Sequence, residues 1–313
     1  MPSSLPGSEA ILRRLEWTVI RRLDGLLHGD YRSLFRGFGI DLADLREYQF
    51  YDDVRLIDWN VTARLQTPYV RQYNEDREIS AWFLLDMSPS VDFGSSEVKK
   101  RQILTEFVTV LARLFTRHGN KVGVLFYGGK VDTVIPAHGG RKHVLHILEL
   151  LLRRPELAQA PPTNLAEFLR AAFQIIRRRS LVFVLSDFIS LPGWDKPLTQ
   201  LAQRHEVIAV RLYDPLEMAL PDLGLITMQD AESGEQVFVD THDRGFRKRF
   251  AAQAERRETE LRAAFGRAGV DALELSTGDD LVDAIFRFAD LRRQRSRLSG
   301  GGALLDHLVP AVQ

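Results

Sequence analysis

From about residue 79 onwards, the hydrophobic and polar positions alternate between two kinds of segment. Short continuous apolar runs predict buried strands, and stretches with apolar residues on one helical face separate them. This alternation predicts an α/β fold with a doubly wound, mostly parallel sheet. The predicted strands are Ile79–Leu85, Lys121–Tyr127, Val131–Ile135, Leu181–Leu185, Val207–Leu212 and Val270–Leu275, and the predicted helices are Val98–Arg117, Lys142–Arg153, Leu165–Arg178, Asp243–Ala268 and Asp280–Phe288.

Two turn signals modify this pattern. Gly128-Gly129 favours a tight turn before Val131–Ile135, which predicts one antiparallel strand at an edge of the sheet. The polar sequence Glu232-Ser233-Gly234-Glu235 separates two short strand-like runs, Leu225–Met228 and Gln236–Val239. We therefore expect a hairpin insertion near residues 224–240.

The ends of the chain follow a different pattern. Ala10–Leu27 has helical spacing, whereas His28–Asn74 is rich in charged and aromatic residues and shows little periodicity. After Leu291 the chain is rich in arginine and then glycine, as is typical of a flexible tail. The predicted organisation is an N-terminal helical and loop extension over residues 1–78 that wraps the main domain, the α/β domain over 79–291, and a flexible basic tail over 292–313.

Composition narrows the class of protein. The chain has 313 residues with 42 Lys plus Arg and 42 Asp plus Glu, so the formal net charge is zero and bulk capture of nucleic acid is disfavoured. The absence of cysteine excludes disulfides, thiolate zinc sites and a cysteine nucleophile. No signal-peptide pattern and no long apolar run is present in this sequence, so we expect a cytoplasmic protein without a membrane span.

The candidate chemistry lies where two predicted strands end. Asp86-Met87-Ser88-Pro89-Ser90 follows the first strand, and Asp187 follows Leu181–Leu185. Because parallel strands in a doubly wound sheet end at one rim, the two carboxylates are expected to lie together, with the Thr163 hydroxyl as a further donor. Hard divalent cations such as Mg²⁺ prefer these oxygen ligands. Each residue also has a structural interpretation, with Asp86 or Thr163 as a helix cap and Ser186-Asp187 as a plain strand-end turn.

This constellation resembles the metal-ion-dependent adhesion site of von Willebrand factor A domains. The similarity comprises the Asp-x-Ser-x-Ser spacing, the loop threonine and the later aspartate, and it implies that all five side chains bind the metal, which is Mg²⁺ or else Mn²⁺ or Ca²⁺. In such domains a carboxylate of the partner fills the open position on the metal. The implied ligands are Asp86, Ser88, Ser90, Thr163 and Asp187.

The preceding segment resembles the hallmark of domain-of-unknown-function family 58, whose bacterial members carry an A-type domain behind such a preface. The resemblance covers roughly residues 35 to 275. It departs from the family pattern at Val91, where the family often has Met, and at Pro161-Pro162-Thr163-Asn164, where the family often has Gly-Gly-Thr-Asp. It implies action with a MoxR-type AAA+ ATPase in chaperone-like maturation of a client protein, which would offer a carboxylate to the metal. The matching residues are Leu45-Arg46-Glu47-Tyr48, Asp52-Asp53-Val54-Arg55-Leu56-Ile57-Asp58-Trp59, Ala63-Arg64 and Glu75-Asp76-Arg77-Glu78.

Other interpretations stay open at this stage. A metal-dependent phosphoesterase with Asp86 or a bound water as the nucleophile is the main alternative to a non-enzymatic binding module, although Ser88 stands where a second acid would be needed. A scaffold with an empty site is a third. In the preface, Trp59 and Tyr48 are expected to anchor the segment while arginines and carboxylates pair, and a partner-binding surface is the second interpretation. His118, His138, His143, His146 and His205 are interpreted as surface or helix-end residues.

Overall fold

The computed structural model describes residues 6–26, 44–49, 54, 57, 59, 62–63, 67–72, 80–95, 98–157 and 160–299. The strands are β1 (Asp44–Glu47), β2 (Tyr69–Gln72), β3 (Ser80–Asp86), β4 (Lys121–Tyr127), β5 (Val131–His138), β6 (Leu181–Ser186), β7 (Glu206–Tyr213), β8 (Leu225–Gln229), β9 (Gln236–Asp240) and β10 (Asp271–Ser276). The helices are α1 (Pro6–Leu15), α2 (Arg21–Leu26), α3 (Lys100–Arg117), α4 (Arg141–Arg153), α5 (Leu165–Ile175), α6 (Asp195–Arg204), α7 (Pro215–Met218), α8 (Arg244–Ala268) and α9 (Leu281–Ser299).

The central sheet has six strands in the order β10-β7-β6-β3-β4-β5. All neighbouring pairs are parallel except β4 and β5, so the predicted doubly wound, mostly parallel sheet with one antiparallel edge strand is confirmed. The chain runs outward from β3 to β4 and β5, then returns to β6 on the other side of β3. The strand order therefore reverses between β3 and β6, which is where ligands bind in open α/β sheets.

The core lies on both faces of this sheet. The rings of Phe83 and Phe183 stack on the neighbouring strands β3 and β6 with centroids 5.0 Å apart, and Phe107 of α3 meets Phe183 edge-on. On the other face, Tyr127 of β4 stacks on Phe168 of α5 at 4.9 Å. Every residue of β6 is buried, which explains its continuous apolar run.

The N-terminal helices join the α/β body through ion pairs. Arg14 pairs with Glu106 of α3, and Arg141 of α4 pairs with Glu9. Met1–Gly29 and Ile79–Phe288 form one compact unit, and Asp30–Glu78 with Ala289–Gln313 form a second. None of the described helices combines the length and the apolar character that crossing a bilayer requires.

In the second unit, β1 and β2 form an antiparallel pair. Trp59 is 68% exposed, and the anchoring role expected for Trp59 and Tyr48 stays a prediction. Much of the preface, including Arg55, Asp58 and Arg64, lies outside the described residues, and the ion pairs predicted there stay a prediction.

Two helix ends differ from the predicted ones by three residues or more. α5 ends at Ile175 instead of Arg178, because the chain turns to extended backbone at Ile176. α9 continues to Ser299, so the first part of the predicted tail is helical, and residues 300–313 lie outside the described residues.

Candidate metal site at the carboxyl end of the sheet

The loop after β3 folds back on its own aspartate. Asp86 is the last residue of β3 and has no exposed surface, and its Oδ1 accepts a hydrogen bond from the backbone N–H of Ser88 at 3.0 Å. A short 3-10 helix, Pro89–Asp92, then turns the chain, and the hydroxyls of Ser88 and Ser90 lie 3.1 Å apart. The Asp-x-Ser-x-Ser spacing thus collects one carboxylate and two hydroxyls in one buried turn.

The register between β3 and β6 brings the second aspartate to the same place. Leu85 lies opposite Leu185, so the next residue, Ser186, reaches Asp86 and donates its hydroxyl to Oδ2 at 2.6 Å. Asp187 follows and is also buried. The prediction that the two strand-end carboxylates lie on one rim is thereby confirmed.

Backbone geometry fixes Asp187. Phe188 has a φ of 58°, in the left-handed region that a bulky residue rarely adopts. Its ring is buried edge-on against Phe265 with centroids 4.9 Å apart, and Trp194 lies beside it. This packing holds the unusual conformation, and the turn lets the N–H of Ile189 donate to Asp187 Oδ1 at 3.0 Å.

Thr163 reaches the rim from the loop before α5. Its carbonyl accepts hydrogen bonds from the Ser190 hydroxyl and the Leu191 N–H, which ties its loop to the segment after Asp187. The interpretation of Thr163 as the helix cap is wrong, since the N-cap is Asn164, whose side chain accepts from the N–H of Glu167 at 3.1 Å. The Thr163 hydroxyl is therefore not used as the cap of α5.

Replacement of the family's aspartate by Asn164 does not remove a rim ligand. The Asn164 side chain faces the first turn of α5, and its backbone N–H donates to the hydroxyl of the buried Tyr127 at 3.0 Å. This departure affects a helix cap, where asparagine and aspartate serve about equally well.

The donor chemistry of the five predicted residues fits a hard divalent cation. All five are buried with less than a tenth of their surface exposed, and the two carboxylates and three hydroxyls belong to three segments that hydrogen bonds hold together. Burial and the nearby charge of Asp187 raise the pKa of Asp86 to about 6. A cation between the carboxylates would relieve both effects.

Lys100 is a site residue that the sequence did not reveal. This first residue of α3 has no exposed surface, and its Nζ donates to Asp187 Oδ2 at 2.9 Å and to Glu217 Oε1 at 2.6 Å. Burial acts to lower the pKa of Lys100, but the two carboxylates outweigh it and the net shift is upward. Lysine at a helix start is ordinary on a protein surface, so the sequence carried no signal of this ion pair.

Glu217 belongs to a buried network behind the rim. Its Oε2 accepts from the N–H of Asp214, which follows β7, and Asp214 in turn accepts from the hydroxyl of Thr277 at 2.7 Å. Burial raises the pKa of Asp214, but hydrogen bonds led by those from Ser95 outweigh it and lower the pKa overall. This network orients Glu217 and, through it, Lys100.

A third carboxylate reaches the rim from the β8–β9 hairpin. Glu232 Oε1 accepts hydrogen bonds from the Thr163 hydroxyl at 2.6 Å and from the Thr163 N–H at 3.1 Å. The hairpin itself was predicted from its turn sequence, but its contact with the rim was not.

The histidines do not form part of this site. His143 Nε2 donates to the Val122 carbonyl oxygen at 2.7 Å, and burial lowers the pKa of His143. His205 caps the end of α6 as expected but is only 3% exposed, so it is not a surface residue. Within the described part of the chain, no three His, Cys, Asp or Glu side chains group as a metal centre.

The fold and the rim define the class as a doubly wound α/β protein with an acidic, hydroxyl-rich rim at its topological switch point. The chain belongs to the family described as protein of unknown function DUF58, whose family model matches residues 44–260.

The chain is also similar to two mycobacterial proteins and, at low sequence identity, to a solved structure. The chain is 38% identical over 295 residues to "Uncharacterized protein Mb1516" of Mycobacterium bovis, with 94% of this chain and 92% of that protein covered. "Uncharacterized protein Rv1480" of Mycobacterium tuberculosis gives the same values. The conserved hypothetical protein BatB from Bacteroides thetaiotaomicron aligns with a TM-score of 0.45 and 13% identity, over 69% of this chain and 99% of that chain.

Proposed function

We propose that this chain is a non-enzymatic, Mg²⁺-dependent protein-binding module. Asp86, Ser88, Ser90, Thr163 and Asp187 would hold the ion directly or through water, and a carboxylate of the partner would complete its coordination. The partner that the family resemblance suggests is a MoxR-type AAA+ ATPase, a client protein that matures with it, or both, in the cytoplasm. The proposal assigns to this chain the metal binding that is implied by the resemblance of these five residues to the adhesion site of von Willebrand factor A domains.

The observation that carries the proposal is the convergence of three separate segments on one buried rim. The Ser186 bridge to Asp86 and the Ser190 bridge to Thr163 link residues that are far apart in sequence. Burying these carboxylates and hydroxyls costs free energy unless they are hydrogen-bonded or bind an ion. A cation there would act as an electrostatic link between the protein and an acidic partner.

The charges around the rim support a cation. Asp86, Asp187 and Glu217 contribute three negative charges within this buried cluster, and Lys100 returns one positive charge. Asp214, which is bonded to Glu217, and Glu232, which is bonded to Thr163, add further negative charge, so the rim and its surroundings carry a net negative charge. Burying such an excess without a counter-ion is costly, so ion binding is favoured.

The surroundings of Asp86 favour binding over a phosphoesterase. A nucleophilic carboxylate must be able to approach phosphorus, whereas Asp86 has no exposed surface and both of its oxygens accept hydrogen bonds from serines. The neighbouring Lys100 ammonium is held by two carboxylates and is not free to bind a phosphate.

A capture experiment tests the proposal. The full chain, Asp86→Asn and the control Asp271→Asn are immobilised and exposed to a purified MoxR-type ATPase and to lysate, with Mg²⁺ or with a chelator. Asp271 begins β10 and so lies at the opposite end of the sheet, where the same charge change should not matter. We expect chelator-sensitive capture by the wild type and the control and loss of capture by Asp86→Asn.

Two results would contradict the proposal. Equal capture with and without chelator would remove the role of the metal. Steady release of phosphate from model esters by the wild type, lost in Asp86→Asn, would establish the phosphoesterase instead.

A further inference from the structure

The tip of the β8–β9 hairpin lies on the candidate metal site. Glu232 is half-buried, and one of its carboxylate oxygens accepts both the hydroxyl and the backbone N–H of Thr163. Its backbone carbonyl also accepts a longer hydrogen bond from the N–H of Ala160, at 3.4 Å. The tip thus meets the Thr163 loop through its side chain and its backbone.

The hairpin tip is built to present this carboxylate. Asp230 Oδ1 accepts hydrogen bonds from the N–H of Glu232 and from the N–H and hydroxyl of Ser233, at 2.7 to 3.1 Å. Gly234 adopts a φ of 75°, which suits glycine, and its N–H donates to the Asp230 carbonyl. These hydrogen bonds hold the backbone of the tip without any contribution from the Glu232 side chain.

The body of the hairpin has an exposed face, whereas Ile226, Met228 and Val239 are half-buried. In the described chain, β8 and β9 form a separate two-stranded sheet, and Leu225, Val237 and Phe238 are 72%, 59% and 73% exposed. At the base, the buried Thr241 hydroxyl donates to the Gly224 carbonyl and accepts from the Leu223 N–H. Hydrogen bonds of Thr241 thus hold the base of the hairpin, and Glu232 at its tip contacts Thr163.

We propose that Glu232 is an internal ligand of the candidate site, standing where a partner's carboxylate would bind. The inference rests on the proposed function, because it assigns to Glu232 the open position on the metal. A carboxylate bonded to the hydroxyl of a candidate ligand lies next to whatever that hydroxyl binds, and it has the same hard-oxygen chemistry as an acidic partner. A partner then gains access only when the hairpin tip leaves Thr163.

The contact between Glu232 and Thr163 is testable without any metal. Hydrogen exchange of the Thr163 amide is compared in the full-length wild type, in Glu232→Ala and in Glu235→Ala. Glu235 is an exposed acidic residue of the same hairpin and provides the matched control. We expect exchange at Thr163 to be at least about tenfold faster in Glu232→Ala only, since its amide loses an acceptor. Unchanged exchange would overturn the proposal.

The ligand role is tested with Mn²⁺ as the probe. Water-proton relaxation of the Mn²⁺-loaded chains reports how many exchangeable waters the ion carries, and a titration gives its affinity. In Glu232→Ala we expect one additional bound water and a Kd raised about tenfold or more, with Glu235→Ala like the wild type. The variant Glu232→Gln keeps the side-chain shape and should show the same loss of affinity, because the charge is gone.

The possible outcomes distinguish the internal-ligand role of Glu232 from the proposed function of the whole chain. If the wild type binds Mn²⁺ and Glu232→Ala matches it in affinity and hydration, the internal-ligand proposal is overturned while the metal module stands. If the wild type binds no Mn²⁺, the proposed function fails and the ligand role fails with it. In that case the exchange result still decides whether Glu232 docks on Thr163.

Discussion

Lys100 determines how much negative charge the site presents. Its ammonium group shares Asp187 with the proposed metal, so the aspartate is never uncompensated in the metal-free protein. A buried lysine is costly unless it is paired, and here two carboxylates provide the pairing. We infer that Lys100 keeps the empty rim folded at the expense of some metal affinity.

Lys100→Met tests this inference at the level of one residue. The variant leaves Asp187 and Glu217 buried without their counter-ion, so the metal-free protein should lose about 3–5 kcal/mol of unfolding free energy. Added Mg²⁺ should stabilise this variant more than the wild type, because Asp187 is then free for the ion. Urea unfolding with and without Mg²⁺ measures both effects, and equal stability of the two metal-free proteins would refute the inference.

His205, which lies away from the rim, makes the stability of the folded protein depend on pH. Burial, followed by the charge of Arg204, lowers its pKa from 6.5 to about 4. The unfolded chain therefore binds a proton between these values that the folded chain does not, so stability falls as the pH drops through this window. At pH 5 the loss from this residue is about 2 kcal/mol.

A comparison with His205→Leu isolates this contribution. The variant should lose less stability than the wild type between pH 7.5 and pH 5, because it has no imidazole to protonate on unfolding. Chemical denaturation at the two pH values measures the difference. Parallel losses in the two proteins would show that His205 does not titrate as described.

At the scale of single residues, the sequence predicted which carboxylates share the rim, but it did not predict side-chain contacts between segments far apart in the chain. Asp86 and Asp187 could be predicted to meet, because each follows an apolar run whose strand position determines its rim. Lys100 and Glu232 could not, since each depends on a side-chain contact between segments far apart in sequence. Their local patterns, a helix start and a hairpin turn, are explained without any site.

Among the elements, α5 links the site to the core. Its N-cap Asn164 follows Thr163 directly, while Phe168 and Leu169 on the same helix are buried. We therefore expect a substitution at the N-cap of α5 to alter the position of the Thr163 loop. The sequence predicted the start of this helix correctly but not its end, because the extended backbone at Ile176 leads the chain towards β6.

Asn164→Ala should weaken both the helix and the site. Loss of the cap is expected to cost about 1 kcal/mol of unfolding free energy, because the N–H of Glu167 loses its acceptor. Asn164→Asp provides the control, since it retains an acceptor and places a negative charge at the helix N-terminus. Thermal unfolding should rank Asn164→Ala lowest, and an alanine variant as stable as the wild type would contradict the cap.

At the scale of the whole molecule, sheet topology explains why distant segments form one site. The order β10-β7-β6-β3-β4-β5 places the reversal of strand order between the two strands that carry the aspartates. Hydrophobic periodicity predicted a mostly parallel sheet, and the Gly128-Gly129 turn predicted its antiparallel edge, but neither predicted the strand order. The grouping of residues 30–78 with residues 289–313 in one unit was not predicted either, because residues 30–78 show little periodicity.

Metal binding should stabilise the entire α/β unit. The ion would join segments around residues 86, 163 and 187, and any ligand that binds only the folded state raises its stability. At a Mg²⁺ concentration one hundred times the Kd, the gain is about 2.7 kcal/mol. Calorimetric unfolding should show a higher Tm with Mg²⁺ for the wild type, and a Tm independent of Mg²⁺ would count against the site.

Direct titration of Mg²⁺ into the purified full chain tests the central claim, with Asp86→Asn and Asp271→Asn in parallel. One ion is expected to bind the wild type and Asp271→Asn with the same affinity, and Asp86→Asn is expected to show no measurable binding. Binding of equal strength by Asp86→Asn, or no binding by the wild type, would contradict the account.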